Sequence, residues 1–416
     1  MTLQERSDLV ISFAEVLHTN GQSTDDMLSA PSRLSNNLGL RDRIIPHWGD
    51  VQLRASDETG RLVSLGIATP TGVNMHRVAC AMGAIDDACA GRLAPPALQE
   101  LIGIIAGAPP APTWLFTLAA AAGAAALSVI FGVQHLAGVT LIAASAGTGA
   151  ILRRALAYYH TNPFLQPLCA ALLAGIVGAL AVRYQMSSSL RLVAVCPCMI
   201  LVPGPYVLNG MMDLSVARIG LGASRLVYAG LVILAISSGL LLGLGLLGVS
   251  LPECPPGRAA PLWLDVIAAG VAVGGFSVFF SMPLRMLGWP VAVGMAAHAL
   301  RWWTLSAGGG TATGALVACL AAGLILVPVA RGRHMPYAAI GFASVVSMMP
   351  GVFLFRMASG LLQLSNSSNM TLELLGATIA DGMIALTVIL AMSFGVILPK
   401  IAIDHLTASR LAGRGG

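Results

Sequence analysis

Two proline-glycine pairs interrupt apolar stretches of this chain, Pro203-Gly204 within VPGP and Pro350-Gly351 within MMPG. Proline removes a backbone donor and glycine loosens the chain, so nearby amides and carbonyls lose their helical partners and become free to hold a ligand. A half-helix beginning after Gly204 or Gly351 offers amides and a positive dipole end to a carboxylate. Carbonyls before the break, or a nearby acid, would receive an ammonium group. Tyr206, Asn209, Ser344 and Ser347 lie close enough in sequence to read a side-chain hydroxyl. Arg356, about one and a half turns past Gly351, could grip a carboxylate by a forked pair of hydrogen bonds; neutralising Asp381 or reaching to the interface is the alternative.

Acids inside the apolar stretches suggest a second chemistry, because a charge near the bilayer centre costs roughly 2.5 to 3.5 kcal/mol on insertion scales. Asp381 sits between Ala380 and Gly382 with no basic residue in its own stretch. It reads as a proton carrier or ammonium ligand, or as the ion-pair partner of Arg356. Asn209 and Asp213 share one helical face. Asp213 lies near the inner end of its stretch, as a gate or proton inlet, or paired with Arg218 or Arg225. Asp265 is expected at the interface, and His298 is expected to be satisfied by a neighbouring carbonyl rather than to relay protons.

Metal, cofactor and catalytic sites are not expected. Cys80, Cys89, Cys169, Cys196, Cys198, Cys254 and Cys319 lack zinc-type pairing and read as small membrane hydrophobes, with Cys254 exposed outside. Ser35, Ser56, Ser64 and His47 form no nucleophile elbow, so a membrane-anchored hydrolase or a regulatory protein stands only as an alternative.

The elements that must position these residues follow from composition. Of 416 residues 56% are hydrophobic and 10% charged, with mean hydropathy +0.81, against about 25% charged in soluble chains. The basic residues are scattered singly rather than clustered, which excludes a nucleic-acid partner. From Trp114 onward ten apolar spans are expected, each near the roughly 20 residues that cross a bilayer as helix. They run at about 113–133, 136–153, 163–183, 192–212, 225–249, 262–283, 287–304, 311–330, 336–362 and 372–398.

Before about Pro112 the acidic residues from Glu5 to Glu58, the polar alternation and the turn residues predict a small α+β domain, 1–112. Its pattern is two helices, a hairpin around Asp57 to Gly60, and two more helices from about Asn74 and Pro95. MTLQERSDLV has no apolar core of its own, so this part is expected in the cytoplasm. With that end inside, Arg153, Arg154, Arg218, Arg225, Arg285, Arg331, Arg333, Lys400, Arg410 and Arg414 fall inside. Only Arg183, Arg191, Arg258 and Arg301 fall outside, which favours both termini in the cytoplasm.

The spans read as five repeated once. Trp114 matches Trp263, Ser128-Val129-Ile130-Phe131 matches Ser277-Val278-Phe279-Phe280, Leu152-Arg153 matches Leu300-Arg301, and the Pro-Gly pairs match in the same order. An odd number of spans per copy makes the second enter from the opposite side, giving inverted repeats over 113–250 and 262–399 before a tail, 400–416. Such halves can rock between inward-open and outward-open states, as alternating access requires. Asn209 aligns with Arg356 and Asp213 with Gly360. The expected site is therefore symmetric in backbone and asymmetric in charge, and the second break is favoured for the carboxylate.

The segments ISFAEVLHTNG, ATPTGVNMHRV and APPALQELIGII, then VPGPYVLNGMMDL with Gly222 and Arg225, and finally MMPG, resemble the bacterial threonine/serine exporter family in its fused form. The resemblance covers about residues 9 to 398 and is carried by order and spacing. It implies proton-driven export of threonine and serine across the bacterial inner membrane, with C4-dicarboxylate (succinate) efflux as the alternative substrate class. The partners it implies are a small-molecule substrate, protons and the lipid bilayer, with a homo-oligomer left open.

Overall fold

The computed structural model describes residues 1–412 apart from 59, 134, 160–161, 185–189, 250–259, 334, 336 and 366–370; Cys254, Arg258 and Arg414 lie outside the described residues. Helix α1 (Leu3–Thr19) starts from a capping box in which Thr2 and Glu5 satisfy each other's backbone donors. Helix α2 (Thr24–Asn37) is capped by Ser23. Three antiparallel strands follow in the order β1 (Arg41–Pro46), β2 (Asp50–Ser56) and β3 (Arg61–Ile67). Helix α3 (Met75–Cys89) is capped by Asn74, and α4 (Pro95–Gly107) opens on prolines that lack the unneeded first donors. Leu9, Phe13, Leu17 and Met27 from the helices meet Val51 and Leu53 from β2 in one buried cluster. The expected hairpin is thus a three-stranded sheet. RDRIIP escapes recognition as a strand because only Ile44 of β1 is buried and the apolar alternation that marks a strand is missing.

The apolar helices are α5 (Thr113–Ile130), α6 (Leu136–Tyr158), α7 (Leu165–Arg183), α8 (Leu190–Met199), α9 (Gly204–Ser215) and α10 (Ile219–Gly245). They continue with α11 (Leu262–Phe279), α12 (Gly288–Ser306), α13 (Thr311–Arg333), α14 (Tyr337–Val345), α15 (Gly351–Leu364) and α16 (Leu372–Ala412). Seven are long and apolar enough to cross a membrane, and the bent pairs α8–α9 and α14–α15 bring the number to nine among the described residues. The stretch expected at 287–304 is helical as α12, but His298, Arg301 and its tryptophans dilute its hydropathy below that of the others. Leu118, Leu231, Leu234, Leu324 and Ile379 lie exposed on helices apolar all round, the arrangement a lipid-facing perimeter requires.

The helix contacts of 113–245 recur in 262–412. Helix α5 packs on α6 as α11 does on α12, α7 on α10 as α13 on α16, α9 on α10 as α15 on α16, and α6 on α8 as α12 on α14. Across the two sets α5 lies on α11, α8 meets α15, and α9 meets α14. The α7–α10 contact is close because Gly175 and Gly243 face each other, where a Cβ on Gly175 would come within 3.0 Å of the Gly243 backbone.

The N-terminal part is joined to the apolar helices by specific bonds. Met75 N–H donates to the Phe280 carbonyl at 2.9 Å, and Ala111 N–H to Ser281 Oγ at 3.1 Å. These contacts put the end of α11 against the N-terminal part and its start, about 25 Å away at 1.5 Å per residue, on the far side.

Candidate functional site

Both proline-glycine pairs bend the backbone as their residue types require. The axis turns by 56° between α8 and α9 and by 67° between α14 and α15. Neither half-helix receives a side-chain cap. At the first break Gly204 N–H is already bonded to the Val202 carbonyl, Pro205 has no N–H, and Tyr206 N–H returns to the Pro203 carbonyl. At the second, the amides of Gly351, Val352 and Phe353 have no acceptor among the described residues. The two breaks are locked together, since the space beside Gly204 is filled by the Phe342 ring from α14, and that beside Gly351 by Met199 from α8.

A cavity of about 500 Å³ runs from the first break toward the N-terminal part. Its walls include Arg153 from α6, Gln166 from α7, Pro203 and Tyr206 at the break, Tyr228 from α10 and Phe279 from α11, and residues 71–73 of the N-terminal part reach into it. Arg153 is the one charged group in the wall among the described residues. Its guanidinium carbon lies 5.0 Å from the centre of the Phe279 ring, while its Nε and one terminal nitrogen have no hydrogen-bond partner. The neighbouring Arg154 is committed elsewhere, lying over Phe116 and donating to the Ala111 carbonyl at 2.9 Å.

Aromatic rings form the rest of the wall. Tyr206 and Tyr228 stack edge-on with centroids 5.0 Å apart, and the Tyr206 hydroxyl is buried without a partner. Tyr228 also touches Phe164 and Trp48 and donates toward the Thr71 carbonyl at 3.4 Å, tying the wall to the N-terminal part. A guanidinium with two unbonded nitrogens, an unpartnered phenol and a primary amide around one cavity can receive a carboxylate and read a small hydroxyl.

Of the residues singled out from sequence, Pro203 and Tyr206 line this cavity. Gly204 faces Phe342, and Pro350 and Gly351 form the second break against Met199. Asn209 donates through its side-chain amide to the Gly21 carbonyl at 3.2 Å. Asp213 is paired with Arg225 at 2.9 Å, both side chains 2% exposed, and lies 3.5 Å from Arg218. Arg218 in turn bonds Asp25 at 2.7 Å, and Lys400 approaches the other Asp25 oxygen at 3.5 Å. Burial pushes the Asp25 carboxyl up, but Arg218 and Lys400 outweigh it and hold the group below its ordinary value. Arg356 pairs with Asp381 at 2.9 Å, so of the two readings open for each the structure realises the ion pair.

Two features were not legible as site components. Arg153 falls at the expected end of its span, where arginine reads as a loop charge; the helix runs on to Tyr158 and holds the side chain against the cavity. The only signal was the guanidinium's place in an apolar helix that had not yet met a turn residue. His298 also differs from expectation. Asp265, in the first turn of α11 and covered by neighbouring helices, bonds His298 Nδ1 at 2.9 Å, while His298 Nε2 meets the Ser347 hydroxyl at 2.6 Å rather than a carbonyl.

No group of three His, Cys, Asp or Glu with metal-binding geometry occurs among the described residues. A family model described as threonine/serine exporter matches residues 8–247, and a second, described as threonine/serine exporter ThrE, matches residues 265–402. Neither the curated proteins nor the solved structures contain a match.

Proposed function

This chain belongs to the threonine/serine exporter family, and from that premise we propose that it exports threonine, serine and similar small amino acids by alternating access, coupled to protons. The observation that carries the reading is the Arg153 guanidinium, with Nε and one terminal nitrogen unbonded, in the cavity beside the Pro203 break. It would bind the substrate carboxylate, with Tyr206 and Gln166 in reach of a side-chain hydroxyl and Pro205, which lacks an N–H, leaving the carbonyl four residues before it unpaired for the ammonium group. The Leu201 carbonyl in the wall receives no N–H among the described residues, which suits that role.

The cavity is then the inward-facing vestibule, and 1–112 is a cytoplasmic domain covering its mouth. Ten spans in two inverted repeats, 113–250 and 262–399, would cross the bacterial inner membrane with both termini, including the tail 400–416, in the cytoplasm. In the outward-facing state the second break takes over, with the free amides of Gly351, Val352 and Phe353 receiving the carboxylate. Asn209, Asp213 and Asp381 act as gates in this scheme: Asn209 ties α9 to the Gly21 carbonyl of the N-terminal part, and the Asp213–Arg225 and Arg356–Asp381 pairs hold the half-helix after each break against the next helix of its own half. Ser347 sits beside the second break as the counterpart that reads the hydroxyl.

With Arg154 committed to Ala111 and Phe116, a single guanidinium among the described residues faces the cavity. One cationic anchor suits an amino acid better than a C4-dicarboxylate. Competition in proteoliposomes tests the choice: unlabelled threonine and serine should suppress labelled threonine uptake while succinate does not, and suppression by succinate alone would overturn the assignment.

A further inference from the structure

Asp265, His298 and Ser347 form a buried line of hydrogen bonds that the substrate cavity does not use. Asp265 lies in the first turn of α11, His298 midway along α12, and Ser347 in the turn just before the second break. His298 Nδ1 is 2.9 Å from Asp265 and Nε2 is 2.6 Å from the Ser347 hydroxyl, and the imidazole is fully buried. The end of α11 rests on the N-terminal part through Met75 and Ala111, so Asp265 marks the far side of the molecule. The line therefore runs from the side opposite the cavity to one break, while the cavity runs from the near side to the other. Phe342 and Met199 join the two breaks.

We infer that Asp265, His298 and Ser347 form the binding site and far-side route of the coupling proton. This rests on the exporter reading and adds the site that the reading lacks. Both protonation states keep the two ring nitrogens hydrogen-bonded. The neutral ring donates Nδ1–H to Asp265 and accepts the Ser347 hydroxyl proton at Nε2. One proton added at Nε2, with the hydroxyl turned away, gives an imidazolium that donates to Asp265 on one side and to the Ser347 oxygen on the other. The adjacent carboxylate balances the added charge, so the ring can be charged in an apolar surround. Release reverses the step. The charged groups acting on His298 are Asp265 from α11 and Arg301 one turn further along α12. Helix α13 adds the Cys319 thiol near Arg301, and the turn before the break adds the Ser347 hydroxyl. A proton held on His298 would alter the bond to Ser347, and through it the segment entering the second break.

The test uses full-length protein in vesicles of bacterial lipid enclosing the pH dye pyranine. Threonine leaving loaded wild-type vesicles should acidify the lumen as protons enter. His298→Gln should cut that acidification at least tenfold while threonine counterflow, which needs no net proton movement, stays within about twofold of wild type. Acidification in His298→Gln equal to wild type overturns the inference, as does counterflow lost in step with acidification. If His298→Gln does not yield folded protein, Asp265→Asn, which removes the carboxylate that balances the ring, carries the same test with the same two overturning results. Wild-type vesicles that move neither threonine nor serine overturn the exporter reading and the inference together, whereas wild-type transport with coupling intact in the variant overturns the inference alone.

Discussion

Replacing Arg153 with Gln removes the one charged group in the cavity wall among the described residues while keeping a planar amide of similar reach. Hydrogen bonds to a charged partner are worth about 1.5 to 3 kcal/mol. At 1.4 kcal/mol per tenfold, apparent affinity for threonine should fall about 10- to 140-fold. Stability should change little, because Nε and one terminal nitrogen have no partner to lose, and losing the desolvated contact with Phe279, worth about 2 kcal/mol, is offset by no longer burying a charge without hydrogen bonds. Arg153→Lys keeps the charge without the fork and should fall between the two. The assay is the concentration dependence of threonine counterflow, paired with thermal unfolding of the same preparations. An unchanged KM in Arg153→Gln would refute the reasoning, and so would a large loss of stability, because either would make Arg153 a structural residue.

Other residues separate packing from function. Asp213→Asn or Arg225→Gln alone should cost about 3 to 5 kcal/mol, since each leaves a partner buried and unpaired, and combining them should restore part of the loss in a double-mutant cycle followed by unfolding. Gly204→Ala would push a Cβ into the Phe342 ring and should cost about 1 to 3 kcal/mol, with Phe342→Leu recovering stability and transport together. Asp381→Asn should weaken the contact with Arg356 and speed exchange between inward and outward states; unchanged exchange kinetics would remove it from the gate. Burial and, second, Arg225 push the His18 imidazole from 6.5 down to about 4, against the His47 carbonyl and Asp50. The folded form thus binds fewer protons than the unfolded one, so stability is whole above 6.5 and declines as pH falls toward 4, by about 3 kcal/mol for a drop of 6.5 minus 4 at 1.36 kcal/mol per unit. Asp25, held low by Arg218 and Lys400, adds a further loss as pH falls below its ordinary 3.8. Unfolding followed from pH 8 to 4 should show the first decline, and His18→Gln should flatten it.

Much of this arrangement could be read from residue order. Pro203-Gly204 and Pro350-Gly351 mark breaks because proline cannot donate and glycine does not hold a helix, both local properties. Asn74 and Pro95 open the N-terminal helices α3 and α4 for similarly local reasons. What was not legible depends on contacts between distant residues. His298 meets Asp265 and Ser347 across separations of 33 and 49 positions. Arg356 and Asp381 could each be read two ways until the packing of α15 on α16 brought them to 2.9 Å. Helix α16 continues through Pro399, where a boundary was expected, because one proline removes a single backbone bond while Gly323 of α13 packs closely against this stretch of the helix.

The central claim is that this chain moves small hydroxy amino acids out of the compartment that holds its N-terminal part. Threonine efflux from proteoliposomes, with and without an inward-directed proton gradient, tests it most directly. Efflux of threonine and serine accelerated by the gradient is the predicted result. Retention of both amino acids with the gradient imposed, by protein that is folded and inserted, would contradict it.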